Sequence, residues 1–297
     1  MTVWQGVFPA VTTKMTREGA LDLEAHQAAL ERLIAGGVSG LIVLPMLGEN
    51  ASLAVAEKEA VVRASVEAAA GRVPVLSGLA EITTEGAGEA ARNYERWGAE
   101  GLMAFPSIAY RTDSRETAAW YEALAASCGL PIMIYNNPIA YGVDVTPEIL
   151  ARLADTPSIV CVKEETGNIR RITDIFNALG DRFSVFCGVD DLLLESVALG
   201  ATGWVAGMVN AWPEESVRLF DLCRAGRFGE ALPLYRAMTP AFHLDTEVKL
   251  VQNIKLAEHI VCGAPEWTRA PRLPLEGAER ARVEAIVRDT MRKLEAL

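Results

Sequence analysis

Short apolar runs recur along the chain, most without polar alternation: GVFPAVT (6–12), GLIVLP (40–45), VPVLSGL (73–79), GLMAFP (101–106), PIMIYNN (131–137), IVCVKE (159–164), SVFCGV (184–189) and GWVAGM (203–208). Near-continuous apolar runs of this length are expected of parallel strands covered on both faces. Helical patterns fill most gaps between them, as in DLEAHQAALERLIAGG, AEKEAVVRASVEAAAG, AGEAARNYERWGA and SRETAAWYEALAASCG. Several end in glycine, the usual residue for a left-handed helix C-cap. A local signature also repeats. GGVSGLIVLP, WGAEGLMAFP and LGATGWVAGM each run helix end, glycine, two residues, glycine, strand.

One βα unit used eight times predicts an α/β fold of the (β/α)8 TIM-barrel type. The rival is a doubly wound open sheet, but no GxGxxG follows the first strand. The eighth barrel helix falls at about Pro213 to Ala225, so residues 1–226 are expected to form the barrel. Residues 227–297 carry no strand pattern and read as a C-terminal helical appendage, with the proline-rich APEWTRAPRLPL as a connector.

Composition removes several function classes. The chain of 297 residues is 51% hydrophobic, yet no apolar run approaches the roughly 20 residues of a membrane helix. Its start, MTVWQGVFPAVTTKM, lacks the basic-then-apolar layout of a signal peptide, so a cytoplasmic location is expected. A net charge of -11 argues against nucleic-acid or anionic-membrane partners. Five scattered cysteines read as small hydrophobes in a reducing compartment. Three histidines, His26, His243 and His259, form no close ligand pair, so no protein-held metal is expected.

In barrels of this kind the chemistry sits where strands end. Those ends deliver Pro45 to Asn50, Tyr135 to Pro138, Lys163 to Glu165, Gly188 to Asp191 and Gly207 to Asn210. Lys163 follows an apolar strand with no turn residue between. If Ile159 and Cys161 face the barrel interior, period-two alternation places Lys163 there too. Apolar surroundings disfavour the charged form of an amine, and the neutral amine attacks a ketone to form a Schiff base. The alternative is a lysine that snorkels from the rim and pairs with Glu164 or Glu165. Tyr135 ends the neighbouring strand, within reach of that amine as a proton shuttle, or else is a core tyrosine bonded to a backbone carbonyl. The loop at Leu47, Gly48 and Glu49 can hold a carboxylate through its N–H groups, or is an ordinary helix entry. Asp190 and Asp191 can bind substrate hydroxyls or cap the following helix.

With these residues placed, the chain resembles the dihydrodipicolinate synthase / N-acetylneuraminate lyase family of class I Schiff-base lyases. The likeness runs through GVFPAVTT, GEN-S-L, YNNP, VKEE, GVDD and GATGW, nearly the whole chain. It implies a barrel with a C-terminal helical appendage, usually a homotetramer, or a dimer, with neither metal nor organic cofactor. It also implies Lys163 as the Schiff-base lysine and Tyr135 as the proton-relay tyrosine. Leu47, Gly48, Glu49, Gly188, Asp190, Asp191 and Gly207 are the expected substrate-binding positions.

Two departures mark a divergent member. The family's strand-two motif is G-T-T-G-E or G-S-T-G-E, but this chain has Pro45-Met46-Leu47-Gly48-Glu49 and so lacks both hydroxyls. After YNxP the synthases carry an arginine for the second substrate's carboxylate, where this chain has Ala140. Tyr110 is a candidate for the tyrosine that reaches a neighbouring subunit's site in those enzymes. The expected activity is that of a lyase on a 2-keto acid. Either retro-aldol cleavage releases pyruvate, or a 2-keto-3-deoxy sugar acid or hydroxyproline-derived imino acid is dehydrated or deaminated. GVDD resembles the segment that contacts substrate hydroxyls in the sugar-acid lyases, and KLVQNIK is similar to members linked to hydroxyproline breakdown. The alternatives are a synthase-like condensation of pyruvate with an aldehyde, a metal-dependent aldolase (disfavoured by the scarcity of histidine) and a non-catalytic 2-keto-acid binder.

Overall fold

The computed structural model describes residues 4–297. β1 (Gly6–Pro9) leads to α1 (Leu23–Ala35), β2 (Leu41–Val43) to α2 (Val55–Ala69), and β3 (Val75–Leu79) to α3 (Thr84–Trp97). β4 (Gly101–Ala104) precedes α4 (Ser114–Ala125), and β5 (Ile132–Asn136) precedes the one-turn α5 (Pro138–Tyr141) and α6 (Pro147–Leu153). β6 (Ile159–Glu164), β7 (Ser184–Cys187) and β8 (Gly203–Ala206) are followed by α7 (Arg170–Leu179), α8 (Leu193–Ala198) and α9 (Pro213–Arg224). Then come α10 (Phe228–Phe242), α11 (Leu250–Cys262) and α12 (Gly277–Glu295). The boundary expected between residues 226 and 227 falls in the turn between α9 and α10.

All eight predicted strands are present, and every pair between them is parallel, in the order β1-β8-β7-β6-β5-β4-β3-β2. The ring closes between β1 and β2, where Ala10 bridges Ile42 and Val11 N–H donates to Ile42 O at 2.9 Å. The fold is a (β/α)8 TIM barrel.

The repeated glycine signature has a packing cause. A Cβ on Gly40 would lie 2.0 Å from the Phe8 ring, one on Gly101 2.4 Å from Trp4, and one on Gly203 2.3 Å from Phe186. Each strand-entry glycine therefore makes room for an aromatic side chain from elsewhere in the barrel. Phe8 and Phe186 meet edge to face with ring centroids 5.4 Å apart. Helix ends follow the expected chemistry less uniformly. Gly98 caps α3 at φ 98°, but α1 reaches its left-handed residue one position late, at Gly37, and α2 at Ala70, ahead of Gly71.

All five cysteines are free, so none is spent on a disulfide. No helix among the described residues is long and apolar enough to cross a membrane.

Candidate active site

Period-two alternation on β5 and β6 sorts YNNP and KEE into two layers. Tyr135 pairs with Lys163 in the sheet register, and Asn136 with Glu164. The register gains an extra residue at Val160, so alternation reaches Lys163 from Cys161 but not from Ile159. Lys163 lies inside, with its side chain 7% exposed. Its Nζ sits 4.0 Å from the centroid of the Tyr135 ring and 2.7 Å from Glu165 Oε2. That second contact is an ion pair without hydrogen-bond alignment. Asn137 completes the inner layer, donating through Nδ2 to Tyr135 Oη at 3.1 Å and to Glu165 Oε1 at 2.8 Å. Burial, then the Glu165 charge, push the Tyr135 phenol well above its usual range.

The outer layer is scaffold. Asn136 Nδ2 donates to Glu164 Oε2 at 2.9 Å and to Asp144 Oδ1 at 3.2 Å, and Arg171 grips both Asp144 oxygens at 2.7 and 2.8 Å. Burial raises the Glu164 carboxyl, while Thr166 and Asn136 act to lower it. The two motifs therefore lock β5 to β6 with one set of side chains and present the other set, Tyr135, Asn137, Lys163 and Glu165, to the interior.

Opposite them, the end of β2 is strained. Leu44 holds φ 55°, a left-handed conformation that a bulky residue adopts at a cost of about 1–3 kcal/mol. Asn50 Nδ2 holds it there, donating at 3.0 Å to both Leu44 O and Gly78 O. The turn sets Pro45, Met46 and Leu47 on the wall of a cleft of about 630 Å³. This cleft also takes in Tyr135, Asn137, Lys163 and Glu165. The rest of the wall is largely apolar, but Asp191, Asp245 and Glu247 line it beside Gly207. Asp191 Oδ2 lies 2.6 Å from His243 Nδ1. Among the described residues that line the cleft, Lys163 is the one cation.

The sequence pattern of the Dihydrodipicolinate synthetase family matches residues 3–290. The chain belongs to this family. It is 32% identical to the probable 2-dehydro-3-deoxy-D-pentonate aldolase of Escherichia coli (strain K12), over 95% of each chain. It is 34% identical to the 4-hydroxy-tetrahydrodipicolinate synthase of Sorangium cellulosum (strain So ce56), over 98% of this chain and 96% of the relative. Among solved structures it superposes with a TM-score of 0.94 on the 4-hydroxy-tetrahydrodipicolinate synthase of Methylacidiphilum fumariolicum SolV, at 26% identity, covering 99% of this chain and 98% of the other. The Escherichia coli K12 prophage protein YagE, solved in complex with pyruvate, gives 0.91 at 26% identity, covering 98% and 99%. The protein is an enzyme of this aldolase, synthase and lyase family.

Within the family framework, four expected substrate positions lie elsewhere. Glu49 is buried away from the cleft because its carboxylate is taken by Lys255 Nζ at 2.7 Å and by Arg269 N–H at 2.9 Å. Gly48 is behind the wall, its carbonyl accepting from Thr13 Oγ1 at 2.7 Å. Gly188 lies beneath the lysine, where a Cβ would come 2.9 Å from Lys163 Cε. Asp190 neither faces the cleft nor caps α8. It accepts from Trp204 Nε1 at 3.0 Å, Gly207 N–H at 3.2 Å and Met208 N–H at 2.8 Å, while burial pushes its carboxyl up to about 7. Leu47, Asp191 and Gly207 do line the cleft. Tyr110 stands on the rim, 59% exposed, donating to Glu116 at 3.1 Å.

Three site residues carried no sequence signal of their own. Asn137 differs from its scaffold neighbour Asn136 only in strand phase. Glu165 is legible only once Lys163 is placed. Asp245 comes from the turn after α10, outside every barrel loop.

Proposed function

We propose that this enzyme is a class I lyase. Lys163 forms an imine with C2 of a 2-keto acid carrying a hydroxyl at C4, and a bond at C3 or C4 then breaks. A cyclic imino acid of the same skeleton would reach the same intermediate by exchanging its ring nitrogen for Lys163. The observation that carries this reading is the pairing of Lys163 with Tyr135 in a cleft whose single lining cation is Lys163.

Tyr135 moves protons on and off the carbinolamine, and the imine nitrogen then draws electrons from the bond that breaks. The N–H groups of Met46 and Leu47, which meet no backbone acceptor among the described residues, hold the substrate carboxylate in place of the family's hydroxyls. A second carboxylate would face the charges of Glu165 and Asp191, with Ala140 where the synthases have arginine. Like charges across a confined site are strongly disfavoured. This supports a lyase over a condensation with a carboxylated aldehyde. A homotetramer or dimer is the assembly expected from the family resemblance.

Incubation with pyruvate and borohydride should leave a stable adduct on Lys163, located by peptide mass. Absence of any adduct, with pyruvate or other 2-keto acids, would sink the reading. A screen of 2-keto-3-deoxy sugar acids and cyclic hydroxy-imino acids should then yield turnover that aspartate semialdehyde plus pyruvate does not.

A further inference from the structure

Asp245 enters the cleft from the one-turn helix His243–Thr246, behind α10. Its Oδ1 lies over the end of β8, so close that a Cβ on Gly207 would come within 2.5 Å of it. On the adjacent strand, Gly188 makes the same allowance for Lys163, at 2.9 Å. Two neighbouring strands thus end in glycines, one admitting an amine and the other a carboxyl group, beside the same cleft. Asp190 takes three donors and Asp191 takes His243, whereas no protein group donates to Asp245 among the described residues.

The ring order sets the path of a bound substrate. β2 and β6 lie on opposite sides of the closed barrel, so a carboxylate turned toward Met46–Leu47 and an imine at Lys163 orient the C1–C2 bond across it. The β4–β5 side is packed by the rings of Phe105, Tyr135 and Tyr141, at centroid separations of 4.8 to 5.6 Å. Beyond those rings the cleft is lined by the apolar Ile139 and Ala140, so a hydroxylated C4 is placed along the β7–β8 side, toward Asp245.

We propose that Asp245 is a further catalytic residue, the general acid that protonates the departing oxygen at C4, so that the reaction is an elimination and not a retro-aldol cleavage. This rests on the imine reading above. Burial, then the charges of Asp190 and Glu165, push the Asp245 carboxyl well above the usual carboxylate range, with Asp191 adding and Lys163 opposing. Retro-aldol cleavage needs a base on the C4 hydroxyl, which a carboxylic acid does not provide. Elimination needs an acid there. The electrons balance without a redox partner. The C3–H bond breaks, its proton passing to Glu165, whose Oε2 lies 2.7 Å from Lys163 Nζ and which later releases it to solvent, and its electron pair forms the C2=C3 enamine. That pair then makes C3=C4, the C4–O bond breaks, and the oxygen leaves as water with the Asp245 proton. Water hydrolyses the restored imine and frees Lys163, and Asp245 regains a proton from solvent.

The test uses D245N and D245S with 2-keto-3-deoxy-pentonate and its 4-O-acetyl derivative, whose leaving group departs without a proton. Wild type should lose water from the hydroxy acid. Both variants should cut that rate by about 100-fold or more. They should keep elimination of acetate, borohydride trapping of pyruvate, and deuterium exchange into the methyl group of bound pyruvate. The proposal is overturned by pyruvate as the wild-type product, by equal loss with both substrates, or by no loss. Failure of wild type to trap pyruvate overturns it earlier, at the imine itself.

Discussion

Lys163 and Lys255 are both buried lysines with a glutamate oxygen 2.7 Å away, yet their surroundings are opposite in kind. Lys255, on α11, is fully enclosed and spends its donors on Glu49 Oε1 and Trp267 O. Burial lowers its affinity for a proton and Glu49 restores part of it. Nearby, Lys14 contacts Glu258, which also accepts from Thr12 Oγ1 at 2.6 Å, so two ion pairs pin α11 to the loops after β1 and β2. Lys163 has one poorly aligned ion pair, an aromatic face, and a cleft. A buried lysine whose donors are met by fixed acceptors is structural. One whose donors are left over beside a cavity is available for chemistry.

This contrast can be broken in four places. The largest effect is expected at Lys163: K163A should lower turnover on the order of 10⁴-fold and abolish borohydride trapping, while the unfolding midpoint stays close to wild type. Retained trapping would place the imine elsewhere. Next, Y135F should lower the rate of imine formation by about 10²–10⁴-fold, measured as pre-steady-state trapping of pyruvate. An unchanged rate would remove the hydroxyl from the proton path.

Lys255 should show the converse. K255M leaves Glu49 buried with only the more distant Arg272, 3.7 Å away, as a cation, a loss of about 3–5 kcal/mol in denaturant unfolding. Protein that remains folded should still trap pyruvate on Lys163, and the K255M/E49L pair should recover most of the stability.

The smallest effect is pH-linked. His26, on α1 and buried against Ser65 of α2, is lowered to about 3 by burial and by the charges of Lys14 and Lys255. Its native value lies below its unfolded one, so the unfolded chain binds the extra proton. Stability is therefore full above about pH 6.5 and lost progressively as pH falls toward 3, by about 2 kcal/mol at pH 5. Asp190, raised to about 7, acts in the opposite sense, so the comparison that isolates the histidine is wild type against H26N across pH 7 to 5. Equal slopes in the two proteins would rule out His26 as the source.

The barrel was legible because parallel strands covered on both faces must be apolar throughout, and a repeated βα unit admits few closed arrangements. Lys163 and Tyr135 were legible for the same reason: a polar group ending such a run stands out, and strand phase tells which way it points. Glu49 and Asp190 misled because residue type and loop position are shared by ligand-binding and structural carboxylates. Their partners, Lys255 and Trp204, are 206 and 14 residues away, and local pattern says nothing of such pairings. The KLVQNIKLAEH segment held a clue, since Lys255 and Glu258 flank Leu256 and Ala257 in a helix with few charges. Only packing shows that Lys255 and Glu258 face the barrel loops.

The sequence by itself determined the strand count, the helices between strands, the amine and the phenol beside it, and the lack of two family hydroxyls and an arginine. These follow from short-range periodicity and residue chemistry, which tertiary contacts do not alter. Tertiary structure alone decided which carboxylates face the cleft. Asp245 was brought there by a helical segment beyond the barrel, and Glu49 was withdrawn by a lysine from α11. Whether an ionisable side chain works or supports depends on what fills the space around it, and that space is built from residues far apart in the chain.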